Sequence, residues 1–202
     1  MKETQTNQER LMEMARGQSM FTAREVRDAG IATSVLTAAV ASGELERVNR
    51  GVYRHVDASW DENLNISEVA AMAPQAVIVL LSALNFHGIG THPAHHVWIQ
   101  LKNNAVTPRI EYPPIEVVRT SVNGAFSEGV ECHELNGINV PVTTPSRTVA
   151  DCFKHRSKLG LELCLEALKE ILQSGIPMGE ILPFARMNRV ENVMMPYLES
   201  LS

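Results

Sequence analysis

The sequence predicts an α+β chain in two unequal parts, on three observations. Two short helical segments, a tight turn and a β-hairpin follow one another through residues 21–56. An apolar, β-branched run at 76–81 then leads into four strand-like segments, and helical spacing dominates the final third. The first observation describes an N-terminal winged helix-turn-helix over residues 1–57. The other two describe a larger mixed α/β domain over 62–202, with a small sheet and C-terminal helices.

Each element has a local cause. Gln8 to Arg16 places Leu11, Met14 and Ala15 on one face of a first helix. Thr22 and Glu25 have capping-box spacing, Val26 supplies the apolar face and Gly30 the stop, giving a helix over Ala23–Ala29. Thr33 or Ser34 caps the next helix, whose inward face is Leu36, Ala39 and Val40 and which ends at Gly43. Its other face carries Ser34, Thr37, Ala38 and Ala41, small or hydroxylic side chains that admit close approach to a DNA groove. Glu44–Val48 alternates as a half-buried strand, Asn49-Arg50-Gly51 turns the chain, and Val52-Tyr53-Arg54 returns.

Residues 57–63 are polar and turn-prone and mark the junction between the parts. Ser67 is placed to cap a helix through Met72 that Pro74 breaks. Ala76–Leu81 suits either a strand or the buried start of a helix ending at Gly88. Val97–Leu101 and Ile115–Arg119 read as strands, and Val130–Leu135 and Ile138–Val142 flank Asn136-Gly137 as a hairpin with a type I′ turn. Thr144-Pro145 opens a helix through Phe153. Leu161, Cys164, Leu165, Leu168, Ile171 and Leu172 mark an amphipathic helix ended by Ser174-Gly175, and two shorter pieces are interrupted at Pro183 and Pro196.

The helix-turn-helix order points to duplex DNA. Thr33, Ser34 and Thr37 are the candidates for bases or phosphates. Arg47, Asn49, Arg50 and Arg54 are the candidates on the hairpin, because guanidinium forks suit phosphate oxygens and a narrow minor groove. The first 57 residues hold eight Lys or Arg and eight Asp or Glu, so the electrostatic footprint must come from local clustering. That balance predicts modest, salt-sensitive binding that a homodimer on DNA would strengthen. The same winged region also suits a protein-docking module or a stand-alone regulator whose C-terminal domain senses a ligand.

Composition bounds the rest. The chain has 202 residues, 45% of them hydrophobic, and a formal charge of −5. No run of about 18 apolar residues is present, and MKETQTNQERL lacks the apolar core of a signal peptide, which predicts a cytoplasmic protein. Cys132, Cys152 and Cys164 are odd in number and widely spaced, as free thiols in a reducing compartment are. His87, His92, His95 and His96 lack metal-pair spacing, and Cys152 with His155 has no second pair. No phosphate loop, nucleophile elbow or HExxH is present, and the lysine-bearing strand Gln100-Leu101-Lys102 has no carboxylate partner for a nuclease metal. The expectation is a non-enzymatic protein with no metal and no cofactor.

Three motifs carry a resemblance. Arg50-Gly51-Val52-Tyr53 closes the winged region, Ser82-Ala83-Leu84 leads to His87-Gly88-Ile89, and Thr144-Pro145-Ser146-Arg147-Thr148-Val149-Ala150-Asp151 follows. In this order the chain resembles the antitoxin family of the AbiE type IV toxin-antitoxin systems. The resemblance implies a DNA-binding N-terminal domain that represses the shared promoter at inverted repeats. It also implies a C-terminal domain required to neutralise a nucleotidyltransferase-like toxin encoded by a neighbouring gene. Family members with recognition helices richer in Lys or Arg exist as a general pattern, and this chain has Thr37 and Ala38 where a basic residue would be unsurprising. The motifs themselves also have structural roles: Thr144 as cap, Arg147 paired with Asp151 one turn on, and His87-Gly88 closing a helix.

Overall fold

The computed structural model describes residues 5–18, 20–58 and 63–201, and its architecture is α+β. The chain divides into two compact units, Met1–Pro74 with His133–Val140, and Gln75–Cys132 with Pro141–Ser202. Residues 59–62 of the polar junction lie outside the described residues.

The first unit runs α1 (Asn7–Gly17), β1 (Phe21–Thr22), α2 (Ala23–Asp28), α3 (Thr33–Ala41), β2 (Leu45–Asn49), β3 (Val52–His55) and α4 (Leu64–Met72). The first three helices close on one core of Leu11, Met12, Ala15, Phe21, Val26, Ile31, Leu36, Ala39 and Leu45. Full burial of each large apolar side chain here stabilises by about 1.5–3 kcal/mol. In α1 the inward methionine is Met12, while Met14 is half-buried. The hairpin β2–β3 gains a third strand because Phe21 and Thr22 pair with Tyr53 and Val52, giving the order β1-β3-β2. Phe21 stacks on Tyr53 at a centroid distance of 6.2 Å.

Helix α4 begins one turn earlier than the sequence suggests. Asn63 occupies the cap position, and Ser67 is inside the helix, fully buried, donating to the Asn63 carbonyl at 3.0 Å. Its hydroxyl also accepts from Asn136 Nδ2 at 3.0 Å, and the Asn136 carbonyl accepts from the Met20 amide at 2.8 Å. A side-chain partner distant in sequence thus takes the hydroxyl that the local reading assigned to capping.

The second unit contains β4 (Val77–Ile78), α5 (Leu80–Phe86), β5 (Val97–Lys102) and β6 (Ile115–Thr120). The hairpin β7 (Val130–Leu135) and β8 (Ile138–Thr143) follows, its far end counted with the first unit. The sheet order is β6-β5-β4-β8-β7, with β5 parallel to β6, β4 antiparallel to β5 and β4 parallel to β8. The ambiguous run at 76–81 is both things in turn, a two-residue strand and then a helix start. Asn136 and Gly137 have φ of 55° and 80°, as a type I′ turn requires.

Five helices complete this unit: α6 (Pro145–Lys154), α7 (Arg156–Leu159), α8 (Leu161–Gln173), α9 (Met178–Met187) and α10 (Glu191–Leu201). In α8 the buried face is Leu163, Cys164, Ala167, Leu168 and Ile171, which leaves Leu161 exposed. Pro183 and Pro196 lie inside α9 and α10 and interrupt neither. An interior proline costs about 3 kcal/mol. Here fully buried anchors on either side, Ile181 and Ala185 in α9 and Met194 and Leu198 in α10, hold the helices through it. The break falls at Arg189 instead, with φ of 58°.

The TPSRTVAD segment is interior. Arg147 is 1% exposed and Asp151 5%, with Arg147 Nε 3.2 Å from Asp151 Oδ2. Arg147 also donates to the Glu128 carbonyl and, at 3.1 Å, to the Ala125 carbonyl, while Asn188 Nδ2 donates to Asp151 at 2.6 Å. The Arg147–Asp151 pair anticipated on the helix therefore forms, but as the centre of a buried network rather than an exposed i,i+4 contact. Thr144 holds the cap position and Pro145 the first turn, but no side chain caps the helix. His87 is the C-cap of α5, its Nε2 is 2.7 Å from the Thr143 carbonyl, and Gly88 follows with φ of 67°.

Candidate nucleic-acid interface

The first unit sets α3 beside the hairpin through three local devices. Thr22 caps α2, with Glu25 N donating to Thr22 Oγ1 at 3.2 Å and Thr22 N to Glu25 Oε2 at 2.6 Å. Gly30, at φ of 74°, ends the helix, and Ile31 folds back so that its amide donates to the Val26 carbonyl at 3.0 Å, with Ile31 3% exposed. Arg10, from α1, donates to the Ala29 carbonyl at 2.6 Å and so ties the turn to the first helix. That arginine escaped the sequence reading, because its partner lies 19 residues away.

The cap of α3 is Ala32, which has no side-chain bond to give. Thr33 and Ser34 are consequently the first residues of the helix rather than its cap, and neither hydroxyl has a partner among the described residues. Leu36 and Ala39 turn inward, and Thr33, Ser34, Thr37, Ala38 and Ala41 are exposed. Thr37 Oγ1 donates to the Thr33 carbonyl at 3.1 Å.

On the hairpin, a register shift lies between Arg47 and Asn49. Asn49 Oδ1 accepts from the Arg50 amide at 2.8 Å, and Gly51 takes φ of 78°. Arg47 and Arg50 are exposed, with Arg47 Nε 3.3 Å from the Asn49 carbonyl, and neither forms an ion pair among the described residues.

Arg54 is placed differently. It is 7% exposed, and its Nε and Nη2 lie 3.0 and 2.6 Å from Glu46 Oε2. The cause is register, since Glu46 and Arg54 are direct cross-strand partners and project on the same face. Nearby Glu68, 5% exposed, has its carboxyl pushed above 4.5 by burial, with the Arg54 charge opposing and Glu46 adding to the rise. The exposed set is thus Thr33, Ser34 and Thr37 with Arg47 and Arg50, Asn49 being half-buried between the two arginines.

Elsewhere, His92 pairs with Glu166 at 3.4 Å. Among the described residues no group of three or more His, Cys, Asp or Glu could hold a metal ion. Cys132, Cys152 and Cys164 are free. Burial raises the Cys152 thiol well above its ordinary value and Cys164 to about 11, so both stay protonated near neutrality. No described helix is long and apolar enough to cross a membrane.

Comparison with known proteins bears on the same region. The crystal structure of the RV2827C protein from Mycobacterium tuberculosis is similar, with a TM-score of 0.53 and 15% identity over 95% of this chain and 80% of that one. At that identity the likeness is one of fold. A search of curated proteins gives no match. Residues 9–55, which span α1 to β3, match the family described as "Transcriptional regulator, AbiEi antitoxin". In its N-terminal region, then, this chain is similar to the AbiEi antitoxin family of transcriptional regulators.

Proposed function

We propose that the protein is the antitoxin of a type IV toxin-antitoxin system that binds double-stranded DNA at inverted repeats and represses its own promoter. In this reading α2 and α3 form a winged helix-turn-helix with the β2–β3 hairpin as wing. The observation that carries it is a coincidence of place. The stretch matching the regulator family, residues 9–55, is the one that presents an exposed α3 and two exposed arginines, Arg47 and Arg50, unpaired with any carboxylate among the described residues.

Roles follow from the geometry. Arg47 and Arg50 supply phosphate or minor-groove contacts, Asn49 fixes the turn that aims Arg50, and Thr33, Ser34 and Thr37 face the major groove. Arg54 supports the hairpin from within through Glu46. The C-terminal unit serves neutralisation of a nucleotidyltransferase-like toxin, without enzymatic activity of its own and without cofactor, in the cytoplasm. The even charge balance of the first 57 residues makes a homodimer on paired half-sites the economical route to tight binding.

The test is fluorescence anisotropy of the full-length protein on duplex from upstream of its own gene against scrambled duplex, at two salt concentrations. Selective binding that weakens with salt supports the regulator reading. Equal weak binding to both duplexes, or none, overturns it and leaves protein docking as the use of the N-terminal unit. Co-expression with the neighbouring gene product tests neutralisation separately.

A further inference from the structure

The major-groove face of α3 has an unusual chemistry for the role just proposed, and the inference drawn from it rests on that reading. The helix Thr33–Ala41 carries no charged residue. Guanine is read most often by a bidentate Arg or Lys, and adenine by Asn or Gln, and α3 offers none of these. What it exposes at i, i+3 and i+4 spacings is Ser34, Thr37, Ala38 and Ala41.

In this conformation Thr37 has no hydroxyl proton to give to a ligand, and its oxygen can only accept. Its hydroxyl proton is directed to the Thr33 carbonyl at 3.1 Å, so beside that acceptor oxygen the γ-methyl joins the methyls of Ala38 and Ala41 as the apolar part of the exposed face. In the major groove the complement of a methyl is the C5-methyl of thymine. The hairpin points the same way, since exposed arginines favour the narrow minor groove of A·T tracts.

We infer that α3 selects A·T base pairs by packing Thr37, Ala38 and Ala41 against thymine methyl groups, with Thr33 and Ser34 hydrogen-bonding at the helix start. Discrimination comes from apolar contact in place of charged hydrogen-bond readout. Burying one methyl changes affinity roughly three- to fourfold, so two thymines in a half-site account for about tenfold.

The experiment selects preferred duplexes from a random library with the full-length protein, then resynthesises the best site with deoxyuridine at chosen thymines. Deoxyuridine removes only the methyl and keeps the base pair. Enriched sites rich in A·T, and a loss of roughly three- to fourfold per half-site methyl removed, support the inference. Thr37→Ser keeps the hydroxyl and deletes the γ-methyl. It should weaken the thymine duplex by a similar factor while leaving the deoxyuridine duplex unchanged at the partner position. Enriched sites read at G·C, or affinity indifferent to deoxyuridine, overturn the inference and leave DNA binding standing. No enrichment and no duplex binding overturn the DNA reading along with it.

Discussion

Replacing Arg147 by Met tests whether the second unit is held by its buried charge network. The side chain is 1% exposed and bonds Asp151, the Glu128 carbonyl and the Ala125 carbonyl. The Ala125 carbonyl keeps Gln100 Nε2 at 2.8 Å after the change, so it is not orphaned. Asp151, 5% exposed, keeps only Asn188 Nδ2 at 2.6 Å, and breaking a buried pair by removing one partner costs about 3–5 kcal/mol. Loss of a donor to Glu128 adds about 1 kcal/mol. The expected loss is therefore about 4–6 kcal/mol, or on the order of 15–20 °C in Tm for a unit of this size. Circular dichroism melts and urea titrations of the full chain measure it. The companion variant Arg147→Met with Asp151→Leu removes the stranded charge and should recover a large part of the loss. A single-variant loss below about 1 kcal/mol, or a double variant no more stable than the single one, would refute the argument.

Four other substitutions have definite expected outcomes. Arg50→Ala should weaken binding on every duplex and reduce the slope of log affinity against log salt by about 1, whereas Arg54→Ala should lower thermal stability, because its side chain is 9% exposed and bonded to Glu46. A salt slope that responds to Arg54→Ala in a folded sample, and not to Arg50→Ala, would reverse these roles. Burial raises the Glu68 carboxyl above 4.5, so the folded state holds that proton more tightly than the unfolded state does. Its effect favours folding most below about 4.5, the ordinary value, and fades as pH rises through the raised one; Glu68→Gln should flatten that decline in a series of urea midpoints against pH. Gly137→Ala should destabilise by more than about 1 kcal/mol in the same titrations, since φ is 80° and a Cβ there would lie 2.4 Å from Gln18 Cβ.

Features whose causes lie within a few residues were legible in the sequence. Thr22 and Glu25 form the capping box that their spacing announces, and Asn136-Gly137 makes the turn that its dipeptide favours. Exposure of Ser34 and Thr37 followed from helical periodicity alone. What stayed hidden depends on register or on distant partners. Arg54 looks like another hairpin cation until the strands are paired, when Glu46 stands opposite it. Ser67 and Arg10 are occupied by Asn136 and by the Ala29 carbonyl, contacts that no local pattern encodes. The prolines of α9 and α10 mislead because burial of Ile181, Ala185, Met194 and Leu198 outweighs the local penalty.

The composition of the first unit constrains how this protein can be cut or recombined. Its compact set of residues includes His133–Val140, whose Asn136 bonds Met20 and Ser67. The stretch that matches the regulator family ends at residue 55, well short of that segment. A fragment stopping at Pro74 would leave the Met20 amide without its acceptor and the buried Ser67 hydroxyl, still bonded to the Asn63 carbonyl, without the amide that donates to it. Grafting this region onto another protein therefore requires a substitute for a hairpin encoded some sixty residues downstream. Exchange by a single crossover in the gene would deliver an incomplete part.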